Sequence, residues 1–252
     1  MARVLVVMLA AAADAGFAQT APEIPSVAKE CGVEGSSDTP LPNSAVALQE
    51  HKKIKIMAIG ASSTAVLGWG REGNPPLLEQ ILERTIKGLD VEIINRGISG
   101  ELADATATRL KIEVALNHPD IVLWQVGTND AFAQVPVEEF AESVRSTVRW
   151  LKENKIDVIL VGLHYMKQLA SDPHYQAIRA SLQQIATEEN VLRIRRYEAV
   201  EILLRTLRET GRPEPSDFGL SEQGYNCMAQ WLARAIAVGL YAKPPRRPSS
   251  QR

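Results

Sequence analysis

Three short polar segments carry the residues whose types suit chemistry. The first, Gly60 to Thr64, contains Ser62, and a serine hydroxyl acts as a nucleophile when a base lies beside it. The second ends at Gly100, where a glycine turn can aim a backbone N–H at a developing negative charge. The third contains Asn129, whose amide can donate to the same charge without titrating. Together these residues predict acyl transfer, whereas the first segment alone is equally compatible with a tight polar turn.

Short apolar runs alternate along the chain with amphipathic stretches of helical period. The predicted strands are Ile54–Ile59, Val91–Asn95, Ile121–Val126, Val158–Leu163 and Val191–Ile194. Such alternation indicates an α/β fold with a parallel sheet and helices on both faces. Parallel strands end at one common edge, and open α/β sheets bind ligands there. Ser62, Gly100 and Asn129 each follow one of the first three strands, so we expect them to converge.

The three segments also resemble the blocks of the SGNH (GDSL-like) hydrolases, a family of esterases and lipases. They match a GDS-type block at Gly60-Ala61-Ser62, an N-x-x-x-x-G block at Asn95 to Gly100, and a G-x-N-D block at Gly127 to Asp130. The resemblance implies a flavodoxin-like three-layer α/β/α sandwich with a parallel sheet of about five strands. It also implies Ser62 as the nucleophile, with Gly100, Asn129 and the Ser62 N–H as the oxyanion hole.

The family carries a further D-x-x-H block before its last helix, and this chain departs from it. Counting back from the stretch Leu220 to Tyr225, the histidine position holds Gly219 and the aspartate position holds Ser216, with Asp217 one residue away. The usual general base and its orienting carboxylate are therefore missing from their places. Because a serine without a base is a poor nucleophile, the resemblance supports the fold and substrate class more strongly than turnover.

Four histidines are available to replace that base, and their positions relative to the strands separate them. His51 and His118 precede strands, which places them at the edge away from Ser62. His164 directly follows the fourth predicted strand at the correct edge, and His174 lies near the start of the following helix. We take His164 as the candidate base or substrate contact. The simpler interpretation is a loop histidine that binds water or backbone.

Two further residues are candidates for contact with a substrate. Trp69 lies in the glycine-rich loop after Ser62, and Asp217 lies in a loop near the predicted site. We expect a small acyl ester or an acylated carbohydrate as the substrate. The alternative is a pseudoenzyme that binds an acylated glycan or a protein partner without turning it over. A nucleotide or flavin binder is not favoured, because the turn after the first strand lacks Walker and dinucleotide spacing.

The beginning of the chain predicts export. Residues 1–18 have the layout of a secretory signal, with Arg3 before an apolar run and small residues at the cleavage position. We expect a periplasmic or secreted protein without stable membrane insertion after cleavage, and the alternative is an N-terminal membrane anchor. The two cysteines, Cys31 and Cys227, form a disulfide or remain as unpaired thiols.

Length and charge limit the remaining classes of protein. A chain of 252 residues suits one domain with tails. We predict an extended segment over residues 19–50, an SGNH hydrolase-like domain over 51–241 and a disordered basic tail over 242–252. The net charge of -2 gives no argument for a nucleic-acid partner. No Cys/His cluster has metal-ligand spacing, so we expect no metal and no cofactor. The run Arg193 to Arg196 is interpreted as a strand end with solvated charges.

Overall fold

A parallel five-stranded sheet forms the centre of the molecule. The computed structural model describes residues 24–32, 39–61, 76–215, 218 and 221–242. The strands are β1 Lys53–Gly60, β2 Asp90–Gly97, β3 Ile121–Gln125, β4 Asp157–Val161 and β5 Leu192–Ile194. They lie in the order β2-β1-β3-β4-β5, and every neighbouring pair is parallel. Each predicted strand is present, and no end differs from its predicted position by more than two residues.

The helices lie on both faces of this sheet. They are α1 Pro42–His51, α2 Leu77–Thr85, α3 Ala103–Asn117, α4 Thr128–Phe132, α5 Val137–Glu153, α6 Pro173–Glu188, α7 Arg196–Glu209 and α8 Glu222–Tyr241. Short 3₁₀ turns occupy Lys29–Cys31 and Lys167–Leu169. None of the helices within the described ranges has both the length and the apolar character that crossing a membrane requires.

Two separate cores hold the three layers together, because the strands are apolar on both faces. Ile56, Leu123 and Ile159 point to one face and pack with apolar side chains of α2, α7 and α8. Met57 and Trp124 point to the other face and pack with those of α3, α5 and α6. Burial of both sheet faces explains why the strands read as continuous apolar runs. The three-layer α/β/α sandwich predicted from the sequence is confirmed.

The segment before the first strand differs from the prediction. Residues 19–50 were expected to be extended, but the chain forms α1 over Pro42–His51. The buried carboxylate of Asp157 accepts hydrogen bonds from the Asn43 side chain at 3.0 Å and from the Ser44 N–H and hydroxyl, each at 2.7 Å. These bonds fix the first turn of α1, where Pro42 needs no intrahelical partner. The folded region therefore begins before residue 51.

A disulfide joins the start of the described chain to its last helix. Cys31 and Cys227 are bonded, which confirms the predicted bridge over the alternative of unpaired thiols. The Ala28 N–H donates to the Gln230 side chain at 2.8 Å in the same region. The segment 24–32 is thus held against α8. The predicted signal sequence of residues 1–18 and the tail beyond residue 242 lie outside the described residues.

Candidate active site

The first three strands end at a common level on the carboxyl edge of the sheet. In the register, Gly60 of β1 lies beside Gly97 of β2 and Gln125 of β3. The three predicted blocks therefore leave the sheet side by side. Ser62, two residues beyond Gly60, lies outside the described residues. Four other residues considered in the sequence analysis also lie outside the described residues: Trp69, Ser216, Asp217 and Gly219.

Gly60 allows the ends of these strands to approach closely. Its φ is +115°, and a Cβ at this position would lie 2.0 Å from the carbonyl oxygen of Gln125. No other residue fits such an approach without displacing β3. The Gly60 carbonyl also accepts a hydrogen bond of 2.8 Å from the Ile98 N–H. The chain that precedes Ser62 is thereby fixed to the loop that carries Gly100.

Gly100 and Asn129 are brought together by one hydrogen bond. The side-chain amide nitrogen of Asn129, Nδ2, donates to the backbone carbonyl of Glu101, next to Gly100, at 2.9 Å. Gly100 has a φ of +77°, and no atom of the described residues lies within 4 Å of a Cβ built on it. An amide nitrogen carries two hydrogens, so the second can still serve a substrate. Two candidate oxyanion donors thus occupy adjacent loops.

Asp130 serves as a cap for two helices. Its buried carboxylate accepts the N–H of Ala103, the first residue of α3, at 2.8 Å and the N–H of Gly127, before α4, at 3.1 Å. Burial raises the pKa of this carboxyl, while the hydrogen bonds from the backbone oppose the rise. A carboxylate at two helix N-termini also interacts favourably with both helix dipoles. Asp130 thus fixes the start of α3 relative to the loop that leads to Asn129.

His164 lies on the same edge, three positions beyond the last residue of β4. Its N–H donates to the Thr128 hydroxyl at 3.2 Å, and its carbonyl accepts the Tyr175 hydroxyl at 2.6 Å. The residue is 8% exposed. Burial, and secondly the charge of Arg196, lower the pKa of its imidazole well below 6.5. The ring is therefore neutral near pH 7, the state that can accept a proton, but its basicity is weak.

The other histidines lie where the topology predicts. His51 ends α1 and His118 follows α3, so both precede strands on the opposite edge of the sheet. His174 lies in the first turn of α6, and its Nε2 is buried without a hydrogen-bond partner in the described part of the chain. Within the described ranges, no group of three or more His, Cys, Asp or Glu side chains is arranged to hold a metal ion.

Two of the three arginines in the basic run at β5 are buried, contrary to the interpretation as solvated charge, whereas Arg195 is exposed. Arg193 is 8% exposed and pairs with Glu198 at 3.1 Å. Arg196 is 3% exposed, and its guanidinium donates to the Gly162 carbonyl at 3.0 Å. Burial lowers the pKa of Arg196 to about 10. This burial was not predictable from the sequence, because it depends on α6 and α7 packing beside the end of β4.

Comparison with known proteins identifies the family. A model described as the Non-GDSL lipase-like family matches residues 32–242. The chain belongs to the Non-GDSL lipase-like family. Together with structural neighbours of the GDSL-like lipase and acylhydrolase type, this match confirms the SGNH-type hydrolase family expected from the sequence. At the level of the family, the comparisons support an ester hydrolase.

Individual relatives are distant in sequence. An acetylxylan esterase from Geobacillus stearothermophilus is 26% identical over 140 residues, which is 50% of this chain and 64% of the relative. A solved catalytic mutant of an acetylxylan esterase from the same organism has a TM-score of 0.58 at 24% identity and covers 73% of this chain and 94% of its own. A lipase/acylhydrolase from Enterococcus faecalis has a TM-score of 0.58 at 23% identity, with coverages of 76% and 100%. These structures share the flavodoxin-like SGNH fold with this member of the family.

Proposed function

We propose that this protein is an exported serine ester hydrolase that removes a short acyl group, such as acetyl, from a carbohydrate. The observation that carries the proposal is the hydrogen bond between the Asn129 amide and the Glu101 carbonyl, which joins the segments of two candidate oxyanion donors. The strand register supports it further, because β1, which leads to Ser62, ends between those segments. Membership of the family is consistent with this chemistry.

In the proposed reaction the Ser62 hydroxyl attacks the ester carbonyl. The oxyanion that forms accepts hydrogen bonds from the N–H groups of Gly100 and Ser62 and from the Asn129 amide. The alcohol leaves with a proton, and an acyl-serine remains. Water then attacks the acyl-serine, which releases the carboxylic acid and restores the hydroxyl. The proton acceptor is His164 or Asp217, and comparison of H164N with D217N identifies it through the larger loss of kcat.

An acylated carbohydrate is proposed as the substrate because a relative of this chain is an acetylxylan esterase. Trp69 and Asp217 are the proposed substrate contacts. Export is proposed from the signal sequence predicted over residues 1–18. The Cys31–Cys227 disulfide supports it, since disulfides persist in oxidising compartments. N-terminal sequencing of the mature protein should begin at Gln19, and an intact Met1 would contradict cleavage.

The test compares hydrolysis of 4-nitrophenyl acetate and of an acetylated xylo-oligosaccharide by the parent, S62A and S63A. S62A should lose at least about a thousandfold in kcat, since the nucleophile is removed. S63A is the matched control, because it removes the neighbouring hydroxyl, and it should retain activity. Full activity in S62A would refute the proposed mechanism.

A second candidate function is a binding protein that retains the fold without turnover. Gly219 and Ser216, which stand at the family's histidine and aspartate positions, favour this alternative. We would then expect no hydrolysis by the parent, a gain of hydrolysis in Gly219→His, and binding of the acetylated oligosaccharide by calorimetry. Turnover by the parent that depends on Ser62 would exclude this alternative.

A further inference from the structure

A buried carboxylate immediately follows Gly100 and is held on both of its oxygens. Arg109, on α3, donates from Nε to one oxygen of Glu101 at 2.9 Å and from Nη2 to the other at 2.7 Å. The Thr106 hydroxyl donates to the second oxygen at 2.8 Å. The Glu101 side chain is only 7% exposed. A bidentate pair of this kind fixes the relative orientation of both side chains, not only their distance.

Arg109 also binds the end of the preceding strand. Its Nη2 donates to the carbonyl of Arg96, in β2, at 2.8 Å, and its Nη1 lies 3.6 Å from the carboxylate of Glu113. The hydrogen bonds to Glu101 raise the pKa of the Arg109 guanidinium above its ordinary value. One guanidinium therefore holds both ends of the short loop between β2 and α3, which contains Gly100.

This loop also receives the other candidate donor. The carbonyl of Glu101 accepts the Asn129 amide at 2.9 Å, and the peptide N–H of Gly100 is one residue away. A displacement of Glu101 therefore moves the Gly100 N–H and releases one hydrogen of Asn129 at the same time. Since an oxyanion hole depends on donors already held at the correct separation, a small displacement of either donor costs rate.

We propose that Arg109, acting through Glu101, is a positioning residue that sets the separation of the Gly100 and Asn129 donors. This inference rests on the proposed function, because it assigns the two donors to one oxyanion. Loss of the Arg109 contacts does not remove the helix that carries it, since Leu110 and Val114 of α3 remain buried in the core. We therefore expect loss of the Arg109 contacts to lower kcat more than it lowers the free energy of unfolding.

The experiment measures kcat and KM for 4-nitrophenyl acetate in the parent, R109M, R109K and R145M. Arg145 is a matched control because its side chain is 22% exposed, as is that of Arg109, and it pairs with Glu188 at 2.8 Å between α5 and α6. We expect R109M to lose about tenfold to a hundredfold in kcat, with KM changed by less than about threefold. R109K should recover part of this loss, and R145M should match the parent.

Amide hydrogen exchange supplies a readout that does not require turnover. Exchange of the peptide that covers residues 97–102 should accelerate in R109M and remain as in the parent in R145M. If S62A is inactive while R109M retains the parent's kcat and exchange, the positioning role is wrong and the proposed function stands. If the parent itself has no Ser62-dependent hydrolysis, both proposals fail. Equal losses of kcat in R109M and R145M would also overturn the positioning role.

Discussion

Acidification should destabilise this protein through one buried histidine. Burial and the charge of Arg196 lower the pKa of His164 well below 6.5. The unfolded chain binds a proton on this imidazole near pH 6.5, whereas the folded chain does not. A group with a depressed folded pKa contributes its full stability above the unfolded pKa, and this stability is lost as the pH falls toward the folded pKa. Between about pH 7.5 and about pH 5.5, His164 should therefore remove up to about 1.4 kcal/mol from the free energy of unfolding.

Urea unfolding at a series of pH values, followed by tryptophan fluorescence, measures this loss. The parent, H164Q and H51Q should be compared, because the His51 side chain is 71% exposed and lies at the opposite edge of the sheet. The loss between the two pH values should be smaller in H164Q by up to about 1.4 kcal/mol and unchanged in H51Q. Equal pH dependence in the parent and H164Q would refute the reasoning. So would a His164 imidazole resonance that titrates at or above pH 6.5 in the folded protein.

Three further predictions concern stability, each measured as the free energy of urea unfolding. Asp130→Asn should lose about 2–4 kcal/mol, because an amide cannot accept both backbone N–H groups, and a loss below about 1 kcal/mol would contradict the double cap. Replacing Cys31 and Cys227 by alanine opens a loop whose ends are 196 positions apart, which should cost up to about 5 kcal/mol. A double variant as stable as the parent would contradict a stabilising role of the disulfide. Gly60→Ala should cost about 3 kcal/mol or more, because its Cβ clashes with the carbonyl of Gln125, whereas Gly100→Ala should cost about 1–2 kcal/mol from its positive φ alone. Similar losses in the two variants would show that β3 moves to relieve the clash.

The strands could be predicted from sequence because a sheet buried on both faces needs continuous apolar runs. Val122 to Trp124 and Val158 to Val161 are such runs, and each is buried along its length. The alternation of these runs with helices indicates a parallel sheet, and this predicted the edge of the sheet on which Gly100, Asn129 and His164 lie. Topology alone was sufficient for that inference, since every strand in the sheet runs in one direction.

Features that depend on distant contacts were not predictable. The helix α1 begins with Pro42-Asn43-Ser44, a sequence typical of a loop, and its first turn is completed by Asp157, which is 113 positions from Ser44. The charge pair Glu101 and Arg109 was also missed. Its signal was an acidic residue directly after the second block and an arginine within the next helix, but many such pairs are solvated. The burial of the Glu101 side chain in the loop between β2 and α3 distinguishes this pair from solvated pairs.

The position of the disulfide has a consequence for biosynthesis. Cys227 leaves the ribosome long after Cys31, once all five strands have been synthesised. Because the chain contains only these two cysteines, an earlier oxidation can join only two different molecules. The native bridge can therefore form only after Cys227 has been synthesised. Covalent dimers in a preparation would mark chains that were oxidised before that step.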